Sequence, residues 1–287
     1  MSRYPIAREI RPIALRIPFC RPLVALSYPI LRIGYAVTPI RRGVRYRRRT
    51  AGKLPLAIYE PQGIAPDAPI LLYFHGGSFS YLANPHHRVS ACRYALGANC
   101  RVICPDYRLA PKPPAPAARE DAKTAYDFVK ETYPGARIAV GGDSAGGAIA
   151  ACLAAERQVC FQMLIYPVCD ASCSTRSATV FTDTPLWDAV GNRKMWKWYL
   201  SGGSPVYAAP MQTPLPGSPA PAYIEVTEFD PLHDEGIAFA RRLRDGGAKV
   251  ELNETLGTFH AYDAVNCPLS RSAFSQRIAA LKAAFSD

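Results

Sequence analysis

Residues 138–155 read IAVGGDSAGGAIAACLAA, an apolar run that leads into glycines and a serine and continues as small residues. This order predicts a strand, a sharp turn at Ser144 and a helix over 145–155. Gly142 and Gly146 complete the G-x-S-x-G spacing, in which the turn is so tight that only small residues fit two places from the serine. We therefore expect the Ser144 hydroxyl to project from the carboxyl edge of a sheet as a nucleophile.

Short apolar runs alternate with helical patterns from about residue 54 onward, which is typical of a mostly parallel sheet flanked by helices. Ahead of them, residues 44–49 and 54–59 flank a turn at Gly52 and predict an antiparallel hairpin at the sheet edge. The further predicted strands are 69–74, 101–105, 137–140, 161–166, 223–226 and 250–252, and the further predicted helices are 117–132, 234–244 and 270–285.

The stretch between residues 166 and 223 is too long for a loop in a compact domain. It carries four aromatic residues at partly helical spacing, which are Trp187, Trp196, Trp198 and Tyr199. We predict a helical insertion over 171–205 that covers the active site, with this aromatic stripe used for packing. The predicted organisation is a cap segment over 1–50, the cap insertion, and a catalytic domain over 51–170 and 206–287.

The positive charge is confined to one end of the chain. Residues 1–50 contain twelve arginines and a single acid, Glu9, whereas the rest of the chain is balanced and the total is +11. No nucleic-acid-binding motif accompanies the arginines, so nucleic-acid binding is not expected. We interpret the segment as a packed lid with solvent-facing arginines, and weak contact with an anionic membrane surface stays open.

The nine cysteines are odd in number and irregularly spaced, as in a cytoplasmic protein with reduced thiols. Cys169 and Cys173 have no second cysteine or histidine pair nearby in sequence, so no metal site is expected. The early uncharged run at 22–31 is interrupted by prolines and is too short to span a bilayer. A cytoplasmic location is therefore predicted.

A nucleophilic serine needs a base, and the base needs an orienting carboxylate. Of the five histidines, His260 lies just beyond the last predicted strand. Asp230 lies just beyond the strand that ends at Val226, and a helix-capping role for Asp230 stays open. The chain order Ser144, Asp230, His260 is the order of α/β-hydrolase triads.

A glycine-rich loop at 75–79 (HGGSF) follows the predicted strand 69–74. Its backbone N–H groups are expected to receive the oxyanion together with the N–H of Ala145. His75 is expected to orient this loop.

The other histidines and acids near the predicted site receive structural interpretations. His86 and His87 are interpreted as lid or surface residues, and His233 as exposed near a helix start. Asp234 and Glu235 are interpreted as first-turn acids that complement a helix dipole.

Five motifs together resemble the hormone-sensitive-lipase (GDXG) family of α/β-hydrolases over about two thirds of the chain. They are HGGSF at 75–79, DYRLAP at 106–111, GDSAGG at 142–147, DPLHDEG at 230–236 and FHAY at 259–262. The resemblance implies the α/β-hydrolase fold with a helical cap built from the N-terminal segment and the insertion. The site residues that it implies are catalytic Ser144, Asp230 and His260, with Gly76, Gly77 and Ala145 as oxyanion donors.

Three features depart from the family pattern. Lys112 stands where the family has glutamate, Ala261 stands where it has glycine, and the N-terminal arm is unusually rich in arginine. Asp106 and Arg108 within DYRLAP are interpreted as an internal ion pair.

The function that these observations predict is hydrolysis of short- to medium-chain carboxylic esters through a Ser-His-Asp triad and an acyl-enzyme. No cofactor or metal is expected, and relatives suggest a homodimer. Two alternatives stay open: an amidase or deformylase with the same triad, and a non-catalytic ligand-binding protein on the same fold.

Overall fold

The computed structural model describes residues 3–201 and 203–286, which form a mixed sheet with helices on both faces. The sheet order is β1-β2-β4-β3-β5-β6-β7-β8, and every pair from β4 to β8 is parallel. The predicted α/β-hydrolase fold with its mostly parallel sheet is confirmed. The strands are β1 (Val44–Ala51), β2 (Leu54–Pro61), β3 (Ile70–Phe74), β4 (Arg101–Pro105), β5 (Ile138–Asp143), β6 (Phe161–Ile165), β7 (Ala222–Phe229) and β8 (Val250–Phe259).

The helices divide between two hydrophobic layers because successive strand side chains point to opposite faces. On β3, Ile70 and Leu72 join the layer under α3, α4 and α7, whereas Leu71 and Tyr73 join the layer under α2 and α8. The helices are α1 (Arg21–Val37), α2 (Pro85–Ala98), α3 (Ala117–Thr132), α4 (Ala145–Glu156), α5 (Ser177–Val180), α6 (Ala189–Leu200), α7 (His233–Asp245) and α8 (Pro268–Ser286).

Several elements differ from their sequence-based predictions; α2 was not predicted, and β7 ends at Phe229 rather than at residue 226. β8 continues to Phe259 rather than ending at residue 252, because a strand at the sheet edge tolerates exposed charged residues such as Glu254. α1 was not predicted, and its sequence contains Pro22 and Pro29. Pro22 lies in the first turn, where the backbone N–H that proline lacks would have no partner within the helix. Pro29 lies inside the helix.

Some N-terminal arginines hold the sheet edge rather than face water alone. Arg45 and Arg47 on β1 join Arg101 on β4 in hydrogen bonds of 2.8, 3.0 and 2.9 Å to the fully buried Glu60. Burial alone would raise the pKa of Glu60, but the three guanidinium groups hold it below its usual range. The interpretation of solvent-facing arginines is therefore wrong for Arg47 and incomplete for Arg45.

A buried ion cluster fixes the chain beyond β8. Arg277 on α8 donates two hydrogen bonds, of 2.8 and 2.6 Å, to Glu225 on β7 and one of 2.6 Å to Asp263. Asp263 also accepts a 2.7 Å hydrogen bond from the Tyr166 hydroxyl. Because removing one partner would leave a buried charge uncompensated, the cluster holds the segment that follows His260 in place.

Within the described ranges, no helix is both long enough and apolar enough to cross a membrane.

Candidate active site

Ser144 lies in the turn between β5 and α4, with φ 54° and ψ −120°. This left-handed conformation is strained for a residue with a side chain and is typical of a nucleophile turn. A Cβ on Gly142 would lie 2.4 Å from the carbonyl of Gly146, and one on Gly146 would lie 2.0 Å from the Phe74 oxygen. The two flanking glycines are thus required by the close approach of backbone to backbone.

The structure brings Ser144, His260 and Asp230 into one connected line. The Ser144 Oγ lies 2.9 Å from His260 Nε2, and His260 Nδ1 lies 2.7 Å from Asp230 Oδ2. Asp230 is fully buried, and its carboxylate also accepts hydrogen bonds from the Thr227 hydroxyl at 2.8 Å and the Leu232 N–H at 2.9 Å. Asp230 is not the N-cap residue of α7, which is Leu232, and the side chain that accepts an N–H of the first turn is Ser177, at 3.1 Å from the Asp234 nitrogen.

These contacts decide which imidazole nitrogen carries the proton. An ionised carboxylate only accepts hydrogen bonds, so His260 Nδ1 donates to Asp230. The Nε2 lone pair is then free to accept the hydroxyl proton of Ser144. The arrangement can therefore withdraw a proton from the serine and stabilise the imidazolium that results.

Three backbone N–H groups beside Ser144 are available to a ligand. In the part of the chain that the structure describes, the N–H groups of Gly76, Gly77 and Ala145 donate to no protein acceptor. Gly76 and Gly77 line the same cavity as Ser144, and Ala145 begins α4 directly after it. Gly77 has φ 122°, a conformation that favours glycine. Free donors in such a position can bind a developing negative charge.

His75 contacts the loop that it was expected to orient. Its Nδ1 lies 2.7 Å from the Gly76 oxygen, and its ring stacks on Tyr107, whose hydroxyl donates to the His75 carbonyl at 2.7 Å. Burial lowers the pKa of His75 to about 4. The residue is thus a neutral support for the glycine loop.

The interpretation of His86 and His87 as lid or surface residues is wrong. His87 is buried, accepts the Asn84 N–H at its Nδ1 (3.0 Å) and lies 3.2 Å from Asp143 Oδ2 through its Nε2. His86 is partly buried and lines the cavity of Ser144. The sequence carried one usable signal, since Asn84 followed by proline and a polar residue at the third helical position is a capping pattern.

Asp143 is consequently a second buried carboxylate at the turn. Burial alone would raise its pKa, but His87 and the Tyr73 hydroxyl, which donates at 2.8 Å, hold the pKa of Asp143 well below its usual range. A Cβ on Gly76 would lie 2.2 Å from Asp143 Oδ2. The carboxylate is therefore in contact with the glycine loop and can fix its position.

The interpretation of Asp106 and Arg108 as an ion pair is wrong. The Arg108 side chain pairs with Asp121 on α3 at 2.8 Å and with Glu120 at 3.3 Å, and its backbone N–H also donates to Asp121. Burial raises the pKa of Asp106, and the nearby charge of Arg48 opposes this rise.

The acids at the start of α7 do more than complement its dipole. Glu235 is fully buried and accepts the backbone N–H groups of Cys169 and Asp170 at 2.6 and 3.2 Å, which ties α7 to the chain beyond β6. Burial raises the pKa of Glu235 well above its usual range. His233 is half-buried rather than exposed, between Asp234 and Glu254.

The cavity at Ser144 has a volume of about 480 Å³ and a mainly apolar lining. Trp187, from the stretch predicted as an insertion, lines it, with its ring centre 6.3 Å from that of His260. The prediction that the aromatic stripe serves packing is therefore incomplete for Trp187. A neighbouring cavity of about 550 Å³ shares Leu82 and His87 with it, but Ser144 does not line that cavity.

Among the described residues, no group of three or more histidine, cysteine, aspartate or glutamate side chains could hold a metal ion.

Comparison with known protein families shows which family the chain belongs to. The profile of a family described as "alpha/beta hydrolase fold" matches residues 71–264, which include Ser144, Asp230 and His260. The chain belongs to this family. The resemblance to its hormone-sensitive-lipase (GDXG) members is thereby confirmed.

Several relatives of this α/β-hydrolase have curated names. Carboxylesterase NlhH of Mycobacterium tuberculosis is 34% identical over 266 residues, which cover 84% of this chain and 83% of the relative. Ethyl acetate hydrolase of Pseudomonas putida is 34% identical, with 75% of this chain and 73% of the relative covered. Among solved structures, esterase LipW from Mycobacterium marinum superposes with a TM-score of 0.89 at 31% identity, covering 98% of this chain and 96% of that one.

Two departures of this α/β-hydrolase from the family pattern have structural consequences. Ala261 adopts φ 60°, a left-handed conformation that the glycine of the family adopts without strain. Lys112 is exposed and has no carboxylate within 4 Å among the described residues.

Proposed function

We propose that the protein is a carboxylesterase that hydrolyses short- to medium-chain esters through Ser144, His260 and Asp230. The observation that carries the proposal is the line of contacts, 2.9 Å from serine to imidazole and 2.7 Å from imidazole to carboxylate. Beside that line lie three N–H groups with no protein acceptor within the described ranges.

In the proposed mechanism, Ser144 Oγ attacks the ester carbonyl carbon while His260 Nε2 takes its proton. Asp230 holds the imidazole through Nδ1 and stabilises the imidazolium. The carbonyl oxygen becomes an oxyanion that accepts hydrogen bonds from Gly76, Gly77 and Ala145. His260 then returns the proton to the leaving alcohol, and water attacks the acyl-enzyme by the same route to release the acid and restore the serine.

The proposed substrate size follows from the cavity. A volume of about 480 Å³ lies within the range of pockets for small organic ligands, roughly 300–1,000 Å³. Its lining offers hydrophobic side chains such as Phe19, Leu186 and Trp187, with few charged groups apart from those around Ser144. This favours short or medium acyl chains over charged substrates.

The proposed cap comprises the segment 1–50 and the insertion 171–205. Two contacts between them support it: the ring of Phe19 lies 4.5 Å from that of Trp198, and the Leu186 N–H donates to the Leu15 carbonyl at 2.7 Å. The catalytic domain over 51–170 and 206–287 is part of the same proposal. A homodimer and a cytoplasmic location remain predictions, as does weak membrane contact through the N-terminal arginines.

Hydrolysis of p-nitrophenyl acetate and p-nitrophenyl butyrate by the purified protein tests the proposal. Ser144→Ala and His260→Ala are expected to abolish turnover and to keep the thermal transition of the parent protein. Ser275→Ala, on the exposed side of α8, is the matched control and is expected to retain full activity. Full activity in Ser144→Ala would refute the assignment, and preference for a matched anilide over the ester would favour the amidase alternative.

A further inference from the structure

Helix α1 exposes an apolar surface that a water-facing helix does not normally carry. Only Arg21 and Arg32 among its seventeen residues are charged, and Val24 is its buried side chain. Leu26, Ile30, Ile33 and Val37 are 66, 67, 63 and 73% exposed. Their spacing of three and four residues places them on one side of the helix. A helix that is apolar all round is ordinarily covered by protein or lipid.

The exposed surface extends beyond these four side chains. Of the twelve large apolar side chains exposed in the described part of the chain, seven lie between residues 15 and 37. We name them the α1 apolar face; they are Leu15, Ile17, Leu23, Leu26, Ile30, Ile33 and Val37. Contiguous apolar exposure of this kind marks a site of interaction.

The α1 apolar face is continuous with the cavity of the proposed active site. Ile17, Leu23, Leu26 and Ile30 belong to the face and also line the cavity that contains Ser144. A surface covering the face would therefore lie at the mouth of that cavity.

Unpaired positive charge accompanies the face. Arg41 and Arg42 follow the end of α1 at Val37, and both are exposed. Neither of them has a carboxylate oxygen within 4 Å among the described residues. The segment 1–50 offers only Glu9 as an acid against twelve arginines.

This charge distinguishes a lipid surface from a second copy of the chain. A symmetric dimer through the face would place two copies of the same arginine-rich segment against each other, and like charges across an interface oppose association. An anionic lipid surface offers apolar chains to the face and negative headgroups to the arginines.

We propose that the α1 apolar face docks on an anionic lipid surface, with Arg41 and Arg42 at the end of α1 against the headgroups. Docking then places the mouth of the Ser144 cavity against the lipid, so that apolar esters dissolved there enter without crossing water. The docking step is argued from the exposed apolar side chains and the unpaired arginines alone. Only the route by which the ester enters the cavity rests on the proposed carboxylesterase function.

Sedimentation with vesicles tests the docking step. The full chain is mixed with vesicles of phosphatidylcholine alone, or of phosphatidylcholine with phosphatidylglycerol, at low salt. Stronger binding to the anionic vesicles is expected, with weakening as salt rises. Ser144→Ala is expected to bind like the parent protein, so that failure of the catalytic assignment leaves this test intact.

Paired variants separate the two contributions to binding. Ile33→Gln with Val37→Gln removes two side chains of the face that do not line the cavity, and an affinity loss of about tenfold or more is expected. Leu256→Gln, on the exposed side of β8 at the other edge of the sheet, is its control. Arg41→Gln with Arg42→Gln is expected to weaken binding to anionic vesicles, with Lys249→Gln, an exposed residue at the amino end of β8, as its control.

Three results would overturn the proposal. The first is no sedimentation of the parent protein with anionic vesicles at low salt. The second is binding of the Ile33→Gln, Val37→Gln variant to anionic vesicles that equals binding of the parent protein. As a control for folding, this variant should hydrolyse water-soluble p-nitrophenyl acetate as fast as the parent does. The third is a concentration-dependent dimer in analytical ultracentrifugation that this variant abolishes, because the face would then be an interface between copies.

Discussion

His87 supports the glycine loop 75–79 indirectly, through Asp143, and the replacement of His87 by alanine tests that role. The His87 imidazole accepts the Asn84 N–H through Nδ1, so its Nε2 carries the proton that faces Asp143 Oδ2 at 3.2 Å. Asp143 in turn contacts the backbone of Gly76. His87→Ala removes one donor to a buried carboxylate and one acceptor for the cap of α2.

The size of the effect follows from these two bonds. A hydrogen bond to a charged group contributes about 1.5–3 kcal/mol and an ordinary one about 1 kcal/mol, so the free energy of unfolding should fall by about 3 kcal/mol. For a chain of this size, that corresponds to a fall in Tm of roughly 6 °C. A misplaced oxyanion donor costs up to about 10²–10³ in kcat, and a partial shift should lower kcat by about 10- to 100-fold.

The assay separates support of the loop from general stability. Because the oxyanion develops only in the transition state, kcat for p-nitrophenyl butyrate should fall while KM changes little. His87→Gln retains an N–H that can reach Asp143 and is expected to recover part of kcat. Unchanged kcat in a folded His87→Ala protein would refute the reasoning, even if its Tm fell.

Three further changes have expected outcomes. As pH falls from 6.5 toward 4, protons bind the unfolded state but not the buried His75, whose pKa is about 4, so stability should fall by up to about 1.4 kcal/mol per pH unit. Urea unfolding of His75→Asn across this window should show a shallower fall, and an unchanged slope would contradict the assignment. Ala261→Gly relieves a left-handed conformation that costs about 1 kcal/mol, so the Tm should stay level or rise, and a clear fall would be contrary evidence. Asp230→Asn should lower kcat by about 10⁴ because the imidazole loses its fixed tautomer, and near-normal kcat would exclude the orienting role.

The sequence was informative where structure is decided locally. The turn at Ser144 was predictable because Gly142 and Gly146 are needed for close backbone contacts within the same few residues. The convergence of Ser144, Asp230 and His260 was predictable for a different reason: each follows a strand, and parallel strands bring their carboxyl ends to one edge of a sheet.

The sequence was uninformative about side-chain contacts between residues that are far apart in the chain and that do not both follow strands of the parallel sheet. The His87–Asp143 contact joins residues 56 apart through the packing of α2 on the sheet. Arg108 was assigned to the acid nearest in sequence, whereas α3 presents Asp121 to both its side chain and its backbone. The exposed apolar face of α1 was missed because no helix was predicted over that segment.

Labelling by a fluorophosphonate probe tests most directly the claim that His260 and Asp230 activate Ser144. The probe reacts with an activated serine, so the fold alone does not produce labelling. After digestion with trypsin, the probe is expected on Ser144 within the peptide 138–157, and labelling should be lost in His260→Ala. A folded protein that takes up no probe, or one that labels equally after Ser144→Ala, would contradict the account.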